Sequence, residues 1–144
     1  MTDEALRITL DDFLARLADN PEDPELHREI AYTHDRLGLE HEAVPYYEKA
    51  LALGASDRLG VWTGYGSTLR VIGRYEEALA VFEKGLREFP GDPGLRVFRA
   101  MALYNTGRSR EAVADLLRSL AENKQVGGYE KAVTYYAENL DETV

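Results

Sequence analysis

Small and aromatic residues recur along this chain at intervals of 34 or 35 residues, and this period limits the possible folds more than any other feature. The recurring columns are Gly38, Gly73 and Gly107; Ala31, Gly66 and Ala100; Ala43, Ala78 and Ala112; and Tyr47, Phe82 and Leu116. A fixed period of this length is typical of stacked units that each bury one face against the next. The chain of 144 residues is long enough for one such domain.

Each unit has the pattern of a helical hairpin. A helix-length segment ends at the recurring glycine, and a second segment follows with apolar residues at spacings of three and four. Helices commonly end in a left-handed backbone conformation that glycine adopts at little cost. The columns of small residues indicate where two helices cross closely, and the large residues Tyr47, Phe82 and Leu116 are expected to fill the space between hairpins.

The middle unit carries the most specific set of residues, namely Trp62, Gly66, Gly73, Tyr75, Ala78, Phe82, Leu86 and Pro90. This set resembles the tetratricopeptide repeat almost residue for residue. The first unit departs from it with His27 and His34 at the columns of Trp62 and Leu69. The third unit departs from it with Arg96 and Arg99 at the columns of Trp62 and Tyr65.

The resemblance implies an all-α fold, a right-handed α-solenoid of three helical hairpins with an extra helix at each end, about eight helices in one domain. The expected segments are an N-terminal helix at 4–19, repeats at 24–57, 59–92 and 93–123, and a C-terminal capping helix at 127–140. Pro45 lies inside the second helix of the first repeat and lacks a backbone donor. We therefore expect that helix to start late or to kink between His41 and Pro45.

Charge and composition argue against several classes of partner. The chain has 17 basic and 26 acidic residues and a net charge of −9, which disfavours nucleic acid and anionic lipid as partners. It has no cysteine, which excludes disulfides and thiolate sites. No apolar run is long enough to span a bilayer, and the first residues are acidic where a signal peptide would be basic, so a cytoplasmic location is expected.

The sequence offers no convincing catalytic, cofactor or metal site. His27, His34 and His41 are seven residues apart, and seven residues of helix rise about 10.5 Å, too far for two imidazoles to bind one metal ion. Gly64 and Gly66 lack the third glycine and the preceding strand of a phosphate-binding loop. The expectation is a protein that is not an enzyme and needs no cofactor.

The resemblance further implies that the first helix of each hairpin lines a concave groove that receives a segment of a partner protein. The residues expected to face this groove are Arg28, Tyr32, Arg36, Thr63, Ser67, Arg70, Val97, Phe98, Met101, Tyr104, Asn105, Lys131 and Tyr135. Chaperone-binding members of the family hold a terminal carboxylate with several cationic and amide side chains. The matching columns here are Arg28, Tyr32, Gly64, Gly94 and Phe98, so that role is not expected.

An apolar stripe distinguishes the third repeat. Val97, Phe98, Met101 and Tyr104 follow one another at helical steps. Two interpretations remain open, because the stripe either binds a partner or is covered by the last helix folding back. The expected function is a scaffold or adaptor that binds a peptide or partner segment, and the alternative is a self-associating homodimer with no separate ligand.

Overall fold

The computed structural model describes residues 1–143, and within that range it contains eight α-helices and no strand. The prediction of an all-helical fold of about eight helices is confirmed. The helices are α1 Asp3–Asp19, α2 Pro24–Arg36, α3 Glu40–Leu53, α4 Arg58–Val71, α5 Tyr75–Glu88, α6 Pro93–Asn105, α7 Ser109–Glu122 and α8 Glu130–Glu138.

The helices pack as three hairpins stacked in chain order. Helices α2 and α3, α4 and α5, and α6 and α7 form the pairs, while α3 against α4 and α5 against α6 join one pair to the next. The first helices of the pairs also approach one another, α2 with α4 and α4 with α6. Helix α1 packs on α2 at one end of the stack, and α8 packs on α7 at the other.

The three recurring glycines occupy equivalent positions at the turn of each hairpin. Their φ angles are +69° at Gly38, +85° at Gly73 and +80° at Gly107, all in the left-handed region. In each hairpin the N–H of the residue after the glycine donates to the carbonyl five residues back, at 2.9, 2.9 and 2.8 Å. This arrangement is the Schellman motif, which satisfies helix-end carbonyls and reverses the chain. The second helix therefore begins two residues after each glycine.

The core lies within the hairpins and between adjacent ones, where large side chains meet small ones. Tyr47 and Phe82, equivalent residues of α3 and α5, are almost completely buried. A Cβ added at Gly66 of α4 would overlap the Phe82 ring, so only glycine lets the two helices approach this closely. The small columns thus fix the separation of the helices and the large ones fill it.

The expected late start of the second helix in the first repeat is wrong. Helix α3 begins at Glu40, two residues after Gly38, and continues through Pro45 to Leu53. Pro45 is the sixth residue of the helix and is exposed to solvent, as is His41, whose carbonyl loses its helical donor. Water can hydrogen-bond that exposed carbonyl, which offsets part of the cost of the proline at this position.

Helix α8 occupies the centre of the segment expected at 127–140. Gly127 and Gly128 both have positive φ, +59° and +88°, and the helix begins only after them. Within the described residues α8 packs on α7 without approaching α6. Arg118 of α7 pairs with Glu138 at 2.5 Å, and Arg110 pairs with Asp141 just beyond α8. Ala137 is its single buried residue.

Candidate partner-binding groove

The candidate site is the face formed side by side by α2, α4 and α6, the first helices of the three hairpins. The second helices lie behind them, since each packs against its own first helix and the next. Side chains at the groove-facing columns of α2, α4 and α6 differ greatly in exposure and in the partners they already have. These differences divide the groove into three parts.

The N-terminal part of the groove is largely satisfied by contacts within the chain. The Arg28 guanidinium pairs with Glu25 at 2.5 Å and Glu29 at 2.7 Å, and Tyr32 Oη donates to Asp57 at 2.9 Å. A hydrogen bond from the Ser56 N–H lowers the pKa of the Glu25 carboxyl, and burial raises the pKa of Tyr32. These contacts tie α2 to the loop before α4. Arg36, by contrast, is exposed at the end of α2.

A buried polar network that the repeat pattern did not predict lies between the first and second hairpins. The Asp35 carboxylate accepts hydrogen bonds from Tyr47 Oη and from Thr68 Oγ1, the latter at 2.9 Å. Burial raises the pKa of Asp35 even though both hydrogen bonds lower it. In front of this network is a cavity of about 240 Å³ lined in part by Glu40 and Ser67. Its carboxylates make this part of the groove acidic.

Two other predicted residues of α4 have different surroundings. Thr63 Oγ1 donates to the Leu59 carbonyl at 2.8 Å, a bond inside its own helix. Arg70 Nη1 donates to Asn105 Oδ1 of α6 at 3.2 Å, so these two predicted residues do lie together. Arg70 is half-buried and lies at the boundary between the second and third hairpins.

The third part of the groove is an exposed apolar surface on α6. Val97, Met101 and Tyr104 are 39%, 40% and 68% exposed, and α8 does not cover them. Phe98 is different, because it is half-buried and its ring stacks on Phe82 at 6.3 Å between centroids. The predicted stripe therefore has three exposed members and one member that belongs to the core.

Residues of α7 extend this apolar surface. A cavity of about 520 Å³ lies between α6 and α7 beside Arg70, and Val113 and Leu116 of α7 line it together with Met101 and Tyr104. A second cavity, of about 270 Å³, also borders Leu116. The sequence did not predict Val113, because the repeat pattern assigns second helices to the interior. Among the described residues, however, no further first helix packs across α7 beside α6. The missing packing leaves Val113 45% exposed.

Lys131 and Tyr135 are not brought to the rest of the predicted surface. Both are exposed on α8, which lies along α7 instead of taking the place beside α6 that a fourth first helix would occupy. Tyr135 Oη donates to Glu142 at 2.6 Å. Ion pairs of Arg110 with Asp141 and of Arg118 with Glu138 form at this position, and the carboxylate side chains of both pairs are exposed.

The histidines of α2 pack as side chains of the interior. His27 and His34 are buried, and both rings lie against the Tyr46 ring, with centroids 5.8 and 5.4 Å away. Burial lowers the pKa of His34. Within residues 1–143 no group of three or more His, Asp or Glu side chains is placed to hold a metal ion. In the same range no helix is both long and apolar enough to cross a membrane.

Comparisons with known proteins agree with this architecture. A sequence profile of the family described as "Tetratrico peptide repeat" matches residues 24–140. Superkiller protein 3 of Saccharomyces cerevisiae (strain ATCC 204508 / S288c) is 24% identical over 95 residues, which are 66% of this chain and 6% of that protein. The chain thus spans only a small fraction of that curated relative.

Among solved structures, MamA MSR-1 C2 is similar in fold. It superimposes with a TM-score of 0.75 and 19% identity over 84% of this chain and 69% of that chain. At this level of identity the likeness concerns the fold alone. It supports the arrangement of stacked hairpins described above.

Proposed function

Since this chain belongs to the tetratricopeptide-repeat family, we propose that it is a protein-interaction scaffold that binds a segment of a partner protein in the groove of α2, α4 and α6. Members of this family generally act by binding other proteins. The observation that carries the proposal for this chain is the uncovered apolar surface of α6, formed by Val97, Met101 and Tyr104.

The apolar surface supports binding because it is exposed and borders a cavity. Exposed apolar side chains that cluster around a cavity mark interaction sites more often than single exposed residues do. The cavity of about 520 Å³ between α6 and α7 is within the range of about 300–1,000 Å³ that is usual for ligand sites. Aromatic residues and methionine, here Tyr104 and Met101, are enriched in the centres of protein interfaces.

The test is a pull-down from native lysate with a double variant. Met101→Ala together with Tyr104→Ala should reduce the captured partner at least about tenfold, because loss of central interface side chains costs more than about 1.4 kcal/mol. The matched control is Ile8→Ala with Leu140→Ala, which removes two side chains that are 65% and 39% exposed at the ends of the stack. Circular dichroism checks that both variants remain helical. Equal capture by wild type and both double variants would remove the groove from consideration.

A second candidate function is self-association through the C-terminal end of the stack. It is favoured by the tyrosines at α8, since Tyr129, Tyr135 and Tyr136 are 70%, 51% and 54% exposed. Light scattering at a few micromolar should then give the mass of a dimer, and Tyr135→Ala with Tyr136→Ala should return it to the monomer mass. A strict monomer in the wild type would rule this function out.

A further inference from the structure

The cavity between α6 and α7 has at its edge a cation, Arg70, that has no acidic partner among the described residues. Six arginines of the described chain are buried or half-buried: Arg28, Arg58, Arg70, Arg96, Arg99 and Arg118. Five of them form salt bridges with carboxylates of this chain. Among residues 1–143, Arg70 is the exception, and its one hydrogen bond is to the neutral amide of Asn105 at 3.2 Å.

The half-buried position of Arg70 carries a desolvation cost that no salt bridge to a described residue offsets. Its Nε is buried without a hydrogen-bond partner among the described residues, so part of the guanidinium is withdrawn from water without compensation. Arg36 and Arg87, by comparison, are exposed, so water can solvate their guanidinium groups. Arg70 lines the cavity, and of the five N–H groups of its guanidinium a single one donates to a described residue, Asn105.

The rest of the cavity is apolar. Met101 and Tyr104 of α6 face Val113 and Leu116 of α7 across it, and Asn105 and Ser109 are the neutral polar residues at its margin. None of the described residues that line it carries a carboxylate. A ligand side chain that filled this cavity would therefore contact apolar side chains of α6 and α7 and a single positive charge, Arg70 of α4.

Resting on the proposed function, we propose that this cavity takes a large apolar side chain of the bound partner segment, and that Arg70 pairs with a carboxylate of an Asp or Glu within one or two residues of it. The charge assignment follows from Arg70, because a carboxylate accepts two N–H groups of a guanidinium at once. The apolar assignment follows from the lining of Met101, Tyr104, Val113 and Leu116. A partner segment with this pair of residues complements the site in shape and in charge.

The experiment lets the protein select its own ligands from random peptides. A phage library of random eight-residue peptides is panned on the wild-type protein, on Arg70→Met, and on Arg36→Met as the matched control. Methionine keeps an unbranched stem and removes the charge. On wild type and on Arg36→Met, the selected peptides should be enriched in a large apolar residue with Asp or Glu one or two positions away. On Arg70→Met the apolar enrichment should remain and the acidic enrichment should disappear.

A quantitative cycle then uses the most enriched peptide and its Asp→Asn or Glu→Gln form. Removing the carboxylate should weaken binding to wild type at least about tenfold in fluorescence anisotropy, and should have little further effect on Arg70→Met. An acidic enrichment that persists on Arg70→Met, or additive losses in the cycle, would overturn the inference while leaving segment binding intact.

Two other results would also decide the matter. If no peptide is enriched on the wild type, segment binding itself fails and the inference fails with it. If light scattering shows a wild-type dimer that Arg70→Met converts to monomer, the site is occupied by a second copy of the chain and not by a foreign peptide. Circular dichroism of Arg70→Met, expected to match wild type, separates these outcomes from unfolding.

Discussion

Asp35 shows how a single residue can leave the repeat pattern intact and still change the chemistry of the fold. It lies near the end of α2, and its carboxylate reaches Tyr47 of the same hairpin and Thr68 of the next. Both donors stabilise the charged form, but burial opposes it more strongly, so the pKa of Asp35 rises above its ordinary value of 3.8. A polar link between two hairpins therefore depends on pH.

The sign of this dependence can be tested with Asp35→Asn. Between 3.8 and the raised pKa of Asp35, the folded protein binds more protons than the unfolded chain, so this group contributes stability at low pH that is lost as pH rises. Relative to Asp35→Asn, wild type should lose free energy of unfolding between about pH 4 and about pH 7. Urea titrations at low protein concentration measure this, since the isoelectric point of about 4.8 lies in the window.

Tyr47→Phe is the companion variant, with the opposite sign. It removes a donor that favours the charged carboxylate, so it should destabilise the protein more at about pH 7 than at about pH 4. Variants that both shift stability in the same direction with pH, or that show no pH dependence, would contradict the account of Asp35.

For individual residues, the sequence predicted those that recur in every repeat. It did not predict side-chain contacts that occur in one repeat only. Gly38, Gly73 and Gly107 were predictable because every hairpin needs the same left-handed turn. The network of Asp35 was not, because its partners lie 12 and 33 residues away at columns with no rule for polar contact. Likewise, the lack of a salt bridge from Arg70 to any described residue becomes evident only when its neighbours in the fold are known.

Helix α6 has arginines at two columns where the middle repeat has aromatic residues, and it packs through ion pairs at those columns. Arg96 stands at the column of Trp62, is buried, and pairs with Asp115 at 2.9 Å and Glu122 at 2.5 Å on α7. Arg99 similarly meets Glu83 and Glu111. Ion pairs therefore join α6 to its neighbours where the middle repeat uses aromatic packing.

Arg96→Ala should destabilise the third hairpin by about 2 kcal/mol. Removing one partner of a buried pair costs about 3–5 kcal/mol, and we reduce this because the Glu122 side chain is 60% exposed. The matched control is Arg108→Ala, whose salt bridge to Glu76 is also 2.9 Å long but has side chains 43% and 73% exposed. The control should lose less than about 1 kcal/mol in urea unfolding. Equal losses would show that the Arg96 contacts are no more than surface ion pairs.

The existence of α8 was predictable from the sequence and its position was not. Stepping one period beyond Pro93 leads to the segment that contains α8, but the repeat rule would place this helix beside α6. The helix lies along α7, where Arg110 and Arg118 form ion pairs that are specific to this end of the chain. Ala137 is the single buried residue of this short helix, so little apolar packing specifies the place that the repeat rule would give it.

The whole molecule is a linear stack in which the middle hairpin is the only one with a hairpin on each side among the described residues. In such a stack, stability comes from each unit and from its contacts with its neighbours. Damage to the middle unit should therefore spread in both directions. Damage at an end should remain local.

Phe82→Ala tests this coupling. The ring is fully buried between hairpins, and its loss should cost about 3–5 kcal/mol. Native-state hydrogen exchange should then show reduced protection in α2 and α3 as well as in α6 and α7. The control is Phe13→Ala on α1, a half-buried residue at the end of the stack, whose effect should be confined to α1 and α2. Loss of protection limited to α4 and α5 in Phe82→Ala would show that the hairpins open independently.

The stacking of the hairpins also determines the spacing between recognition features along the groove. The acidic cavity beside Asp35 lies between the first hairpin and α4, and the apolar cavity beside Arg70 lies beyond α4, between α6 and α7, so the packing of successive hairpins sets their separation. Point substitutions alter what each cavity accepts, but they leave this spacing unchanged. Inserting or deleting a complete hairpin between the two cavities would change this spacing. The distance between the ligand residues that such a stack recognises should therefore change in steps of one hairpin.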